Sequence, residues 1–431
     1  MNIFLKTVGL IGFLWLWFVS TSLGQRLPKI SLEETGLSSS RLDRIRQITQ
    51  EHIDRNQIAG AVMLIARKGK IAYLESFGMM DREAGKKMRN DAIFRIASMT
   101  KSVTSVAVMM LYGEGRFLLN DPISKYIPEF KNMQVIAPAV HKDSSFTLIP
   151  AKSEITIRQL LTHTSGISYR FLGVEPLASL YKKAGISDGL SQTEGALAEN
   201  IKRLAKLPLL HHPGEKYSYG LSTDVLGFLI EVVSGTTLDE FFRKRIFAPL
   251  KMQDTHFFLP EAKLPQLAAV YTQSPAGGIT RLRDEPVESG YVVYSSTYHY
   301  RGPQTYFSGG AGLVSTISDY ARFLQMLLNG GELDGARLLD RKTVELMTTN
   351  HVGDLRGPSG YGFGFAITRD VSQSGTHGSV GSYRYSGFFY TEFIVDPKEQ
   401  LIAIFMAQLY PTGGLTLGEK FLVLAYQAIA D

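Results

Sequence analysis

The segment Ser98-Met99-Thr100-Lys101 puts a hydroxyl and an amine three residues apart, which on a helix means one turn and one face. A helix beginning at Ser98 would surround the serine with free backbone N–H groups at the positive end of the helix dipole, where negative charge is favoured. A lysine at that distance can accept the hydroxyl proton once it is taken out of water, because desolvation lowers its pKa. This is the chemistry of a serine nucleophile, but the spacing alone is weak. Ser179-Leu180-Tyr181-Lys182 matches it too, in an amphipathic helical stretch whose polar side reads as solvated. Gly185-Ile186-Ser187-Asp188-Gly189 matches the nucleophile elbow of a different hydrolase class, which requires a preceding strand. Leu177 to Ala184 reads as helix or coil, so Ser187 is expected in a surface turn. The nine histidines show no His-x-x-x-His run, and there are no cysteines. The sequence therefore implies neither a metal site nor a cofactor. His163 reads as fixing a turn, and His211-His212 as exposed ahead of Pro213-Gly214.

The elements that must hold Ser98 in place come from both ends of the chain. Ser40 is expected to cap a helix with Leu42, Ile45, Ile48 and Ile53 on one side. Ala61 to Ala66 and Ile71 to Phe77 read as a hairpin joined through Lys68-Gly69-Lys70. Phe94-Arg95-Ile96 is a short extended run leading to a helix from Ser98, with Val103, Val106, Met110 and Leu111 inward. Residues 120–154, rich in proline and poor in periodicity, read as irregular. Residues 155–250 read as mainly helical, with segments at Thr193 to Leu207 and Ser222 to Val233, and Pro260 to Thr305 as irregular again. Helix is expected at Ser318 to Leu328 and Arg341 to Met347. Strands are expected at Gly362 to Ile367, Tyr390 to Val395 and Leu401 to Met406, with a last helix from Gly418. This pattern predicts an α/β (α+β) fold: one α/β lobe from about 36–118 and 306–431, with a helical lobe of about 119–305 inserted. A site would lie at the seam between them.

The N-terminus is of another kind. Behind Lys6 an apolar run from Val8 to Val19 is followed by the small residues Ser22 and Gly24. The run is shorter than the roughly 18 to 20 residues of a spanning helix, so residues 1–24 read as a signal peptide. A secreted or periplasmic hydrolase domain over 25–431, with no stable membrane span after cleavage, is the expectation. The net charge of +6 is scattered among negative residues rather than clustered, which gives no sign of a nucleic-acid partner.

Four blocks then carry a resemblance. Asp91-Ala92-Ile93-Phe94-Arg95-Ile96-Ala97-Ser98-Met99-Thr100-Lys101-Ser102 resembles the nucleophile segment of the serine β-lactamase-like superfamily, which includes penicillin-binding proteins and DD-peptidases. Leu160-Leu161-Thr162-His163-Thr164-Ser165-Gly166-Ile167, Pro213-Gly214-Glu215-Lys216-Tyr217-Ser218-Tyr219 and Gly309-Gly310-Ala311-Gly312-Leu313-Val314-Ser315-Thr316 continue the match in family order. The resemblance covers the chain from about Leu42 to its end. It implies an antiparallel sheet flanked by helices, with the active site at the seam.

The resemblance also implies roles. Ser98 would be the nucleophile, Lys101 its proton partner, and Tyr219 the tyrosine of the family's Tyr-x-Asn motif. A phenol needs a close cation to act as a base at neutral pH, and Lys101 would be that cation, the two titrating as one system. For the third motif, Tyr385-Ser386-Gly387 fits the following strand better than His377-Gly378-Ser379. The N–H of Phe388 would then join that of Ser98 as an oxyanion hole, such donors being worth about 3 kcal/mol each. Two departures stand out: Leu221 where the family has an amide, and Tyr385 where it has a lysine that attracts the β-lactam carboxylate. With Asp224 close behind, they point to the esterase branch, similar to family VIII carboxylesterases. The implied activity is an esterase working through a Ser98 acyl-enzyme on small or medium carboxylic esters. A class C-like β-lactamase or D-Ala-D-Ala peptidase is the alternative, and a penicillin-binding sensor without turnover is the alternative outside catalysis.

Overall fold

The computed structural model describes residues 27–29, 33–140, 146–375 and 377–431; the expected signal peptide lies outside them. The centre is an eight-stranded sheet. Its spatial order is Ser359–Tyr361, Ala366–Thr368, Tyr383–Gly387, Thr391–Asp396, Leu401–Met406, Gly60–Arg67, Lys70–Asp81 and Lys86–Lys87. All its neighbours run antiparallel. The join between the two chain ends is the pairing of Gly60–Arg67 with Leu401–Met406, from Val62 opposite Met406 to Arg67 opposite Leu401.

Both central strands are apolar, save Arg67 at the end of the first, because both faces are covered. On one face, α1 (Ser39–Asp54) and the C-terminal helix Leu417–Gln427 bury Leu42, Ile45 and Phe421 against Met63, Ile65 and Phe405. On the other, α2 (Thr100–Gly113) and the helix Ile317–Leu328 bury Val103, Val106 and Phe323 against Val62, Leu64 and Ile404. The first hairpin is as expected. Lys68 and Gly69 form its two-residue turn with φ of 53° and 78°, the pair of positive values that suits the twist of an antiparallel hairpin.

Several expected boundaries move. The helix α1 starts at Ser39 after Ser38, and neither its cap position nor Ser40 supplies a capping side-chain bond. The stretch 120–154 is not irregular throughout: Gln134–Val140 pairs with Phe146–Pro150, an alternation that Pro138 and Pro150 hide in the sequence. Pro260 to Thr305 likewise holds two small ladders, Tyr271–Gln273 with Ile279–Arg281 and Val287–Ser289 with Val292–Tyr294. Gly362 to Ile367 is no single strand. It is a turn between Ser359–Tyr361 and Ala366–Thr368, and Gly364 at φ 88° lets its carbonyl accept from Ser102 Oγ at 3.0 Å. Thr193 to Leu207 shortens to the helix Leu197–Leu204.

Candidate active site

Ser98 is delivered by a short ladder. Ile93–Arg95 pairs with Val314–Thr316, and the Ile96 N–H donates to Leu313 O at 3.1 Å. The chain then turns sharply, with Ala97 at φ 40°, through a 3-10 turn Ala97–Met99. The α-helix proper starts at Thr100, so Ser98 sits in the turn ahead of it rather than at its first residue. The spacing survives, because the turn runs straight into the helix. Ser98 is partly exposed, while α2 is buried from Thr100 to Leu111.

Lys101 points back at Ser98, its Nζ 3.2 Å from Ser98 Oγ, and donates to Gly310 O at 2.7 Å. The amine is fully buried and lies 4.8 Å from the ring centroid of Tyr219 and 5.1 Å from that of Tyr169. Burial pulls its pKa down to about 7 against the opposing charges of Asp224 and Asp188. The Tyr219 hydroxyl donates to Ser98 Oγ at 2.7 Å. The expectation that Lys101 would depress this phenol does not hold: burial raises it well above the usual tyrosine value. The physical reason is shared, since the enclosure that drives Lys101 toward its neutral form also penalises a phenolate. The resting site thus holds a poised amine and a protonated phenol, both on one hydroxyl.

Asp224, in the helix Ser222–Ser234, lies beneath Lys101 rather than in the cavity. It accepts from Ser308 Oγ at 2.7 Å, and burial raises its carboxyl. Leu221, expected to face substrate, is fully enclosed in the core and does not line the cavity. As the residue that leads into the helix Ser222–Ser234, Leu221 packs its side chain inward with Val225 and Leu226.

A cavity of about 530 Å³ opens over Ser98, with Phe171, Tyr219, Tyr385 and Phe388 on its walls. Tyr385, Ser386 and Gly387 all line it, on the strand Tyr383–Gly387. A Cβ at Gly387 would stand 2.4 Å from Ile96 O, so only glycine lets this strand lie against the nucleophile turn. The Phe388 N–H meets no acceptor among the described residues. His377 is elsewhere, its ring stacked on Tyr426 at 6.3 Å between centroids.

Sequence reasoning missed most of the walls. Tyr361 donates to the Tyr385 hydroxyl at 3.0 Å, and Tyr217 lies 5.4 Å from Tyr361 between ring centroids. His163 sits among these rings, 5.0 Å from Tyr219, and burial keeps it neutral. Its φ of 54° and a carbonyl accepting from Ser218 at 2.7 Å agree with a turn-fixing role. Tyr217 lies within a matched block and Tyr169 two residues beyond another, a signal that could have found them; Arg356, in the turn ahead of the strand Ser359–Tyr361, and Tyr361, at the end of that strand, carry no such mark.

The rival serines are accounted for. Ser179, in the helix Leu177–Lys183, bonds Glu175 at 2.8 Å, and Lys182 pairs with Glu288, all exposed. Ser187 follows this helix, not a strand, and shares a hydrogen bond with Thr193 at 2.7 Å. Its neighbour Asp188 is buried and accepts from the Arg170 and Phe171 N–H groups at 3.2 and 3.3 Å, bracing the Phe171 wall. His211 and His212 are buried rather than exposed: His211 bonds Ser218 Oγ at 2.9 Å, and the Lys152 N–H donates to His212 at 3.3 Å. Among the described residues no cluster of His, Asp or Glu could hold a metal ion, and no helix is long and apolar enough to cross a membrane.

The family model described as Beta-lactamase matches residues 45–427. The chain belongs to the β-lactamase family. Among its relatives, esterase EstB of Burkholderia gladioli is 34% identical over 382 residues, 85% of this chain and 91% of that one. A protein of Escherichia coli K12 provisionally named a D-alanyl-D-alanine carboxypeptidase is 27% identical, covering 88% of this chain and 85% of that one. The solved structure of EstCE1, a hydrolase with promiscuous acyltransferase activity, has a TM-score of 0.77 at 26% identity, covering 91% of this chain and 99% of that one. The resemblance read from the four blocks is borne out, and this β-lactamase-family chain is an esterase-like serine hydrolase.

Proposed function

We propose that the protein is an esterase that cleaves small or medium carboxylic esters through a Ser98 acyl-enzyme. The observation that carries this is Ser98 Oγ at the floor of the cavity, 2.7 Å from the Tyr219 hydroxyl and 3.2 Å from the Lys101 amine. Neutral Lys101 takes the Ser98 proton as Oγ attacks the ester carbonyl. The carbonyl oxygen becomes an oxyanion held by the Ser98 and Phe388 N–H groups. Tyr219 gives its proton to the departing alkoxide and is reprotonated from the Lys101 ammonium, so no net charge is left behind. Water then attacks the acyl-enzyme with the same proton path reversed, releasing the acid and restoring Ser98.

Esters rather than lactams are favoured by Tyr385 in place of a lysine, by the aromatic walls and by the relationship to EstB. The cell-wall reading draws support from the relative with a carboxypeptidase name. Turnover of p-nitrophenyl acetate and butyrate beside nitrocefin, with Ser98→Ala as control, separates them. A kcat/KM for nitrocefin above that for the esters would overturn the esterase reading. A fluorophosphonate probe should add one adduct, on Ser98; an adduct on Ser179 or Ser187 would overturn the mechanism. Export by cleavage after Gly24 belongs to the same proposal, and N-terminal sequencing of protein recovered from a secreting host should begin at Gln25.

A further inference from the structure

One wall of the cavity carries a guanidinium that the acyl-enzyme chemistry does not use. Arg356 is half-buried, and its Nη1 donates to Gly360 O at 3.3 Å. Its guanidinium carbon lies 5.4 Å from the ring centroid of Tyr217 and 5.7 Å from that of Tyr361. Among the described residues no carboxylate stands within 4.0 Å of it. The cavity's other lining cation, Arg384, has no carboxylate within 4.0 Å among the described residues either, but its charge acts on Glu392, which lines the cavity with Glu419. Arg356 is thus held by a carbonyl and two tyrosines, with no carboxylate to neutralise it.

Its position tells which half of a substrate would meet it. Tyr219 contacts Ser98 on one side and continues through Tyr385, Tyr361 and Tyr217 to Arg356 on the other. The group that protonates the leaving alkoxide must lie beside it, so the alcohol half runs along this row of rings. The acyl half is left with Phe171 and Phe388. A planar guanidinium backed by two aromatic faces presents its N–H fork to a carboxylate, a stronger and more directional pair than a neutral contact.

We propose that Arg356 binds a carboxylate on the alcohol half of the substrate, so that the preferred esters are those of hydroxy acids rather than of neutral alcohols. This rests on the Ser98 acyl-enzyme reading and refines its substrate class. The test uses 3-acetoxybenzoate and its methyl ester, which yield the same acetyl-enzyme and differ only in the charge of the leaving half. The native protein should favour the acid in kcat/KM by about tenfold, the worth of one hydrogen bond to a charged group. Arg356→Met should bring the ratio of the two values to about one, with Arg356→Lys between. Raising ionic strength should lower kcat/KM for the acid and not for the methyl ester, a check on the unaltered protein. Equal ratios in the native and Arg356→Met proteins, or a preference for the methyl ester in the native protein, overturn the proposal. Failure of the underlying reading looks different: a folded protein that the fluorophosphonate probe does not label at Ser98.

Discussion

At the scale of single residues, the site is a question of where one proton sits. Lys101 is buried without a carboxylate in contact, its amine facing a carbonyl and two rings. Only the neutral amine can take the Ser98 proton. Because burial lowers its pKa, acylation should rise with pH through a limb near 7, where an ordinary lysine would place it near 10.5. The pH profile of kcat/KM for p-nitrophenyl butyrate checks this, and a limb near 10 would mean Lys101 stays charged and is not the base. Tyr219 separates chemistry from packing differently. Tyr219→Phe keeps the ring and removes the hydroxyl, so kcat should fall about 10²- to 10⁴-fold with binding largely kept. The melting temperature belongs beside it, since losing a buried hydroxyl can cost about 1 to 3 kcal/mol. A folded Tyr219→Phe protein with nearly native kcat would take the phenol out of the mechanism.

At the scale of elements, precision comes from two backbones pressed together. The nucleophile turn and the strand Tyr383–Gly387 touch at Ile96 and Gly387, with no room for a side chain between. Gly387→Ala should push the strand away from Ser98, shift the Phe388 N–H and lower kcat by about 100-fold, the usual effect of a displacement near 1 Å. Unchanged kcat with an unshifted melting point would show that the contact is not tight in solution. Some of this was readable in the sequence and some was not. The spacing of Ser98 and Lys101, the Pro-Gly turn before Tyr219 and the glycine of Tyr385-Ser386-Gly387 are local signals, each written within a few consecutive residues. Local writing also explains the errors. Leu221 stands where a substrate-facing residue was expected, but the start of the helix Ser222–Ser234 turns it into the core, and only tertiary packing decides that. Arg356 reaches the cavity from the turn ahead of the strand Ser359–Tyr361, and Tyr361 from the end of that three-residue strand, too short for a periodicity to mark a face. Likewise the hairpin within 134–150 is interrupted by prolines that mask its alternation.

At the scale of the whole molecule, the two chain ends make one sheet, and its two faces have separate tasks. The face toward α2 and Ile317–Leu328 supports the nucleophile turn, while the face toward α1 and Leu417–Gln427 is core except for Glu419, which reaches the cavity. Burial of Phe421 belongs wholly to the second face, fully enclosed against Phe405, with ring centroids 6.4 Å apart. Stability and catalysis should therefore separate there. Phe421→Ala removes a large buried side chain and leaves a cavity, which costs about 3 to 5 kcal/mol. The urea midpoint should fall accordingly, with the slope of the transition little changed. Turnover should respond in another way, because the sheet stands between Phe421 and Ser98. Measured per active site, by titration with the fluorophosphonate probe, kcat for p-nitrophenyl butyrate should stay within about twofold of native wherever the variant remains folded. A loss of kcat per labelled site matching the loss of stability would show that the sheet transmits strain from its far face, and that the two faces are not independent.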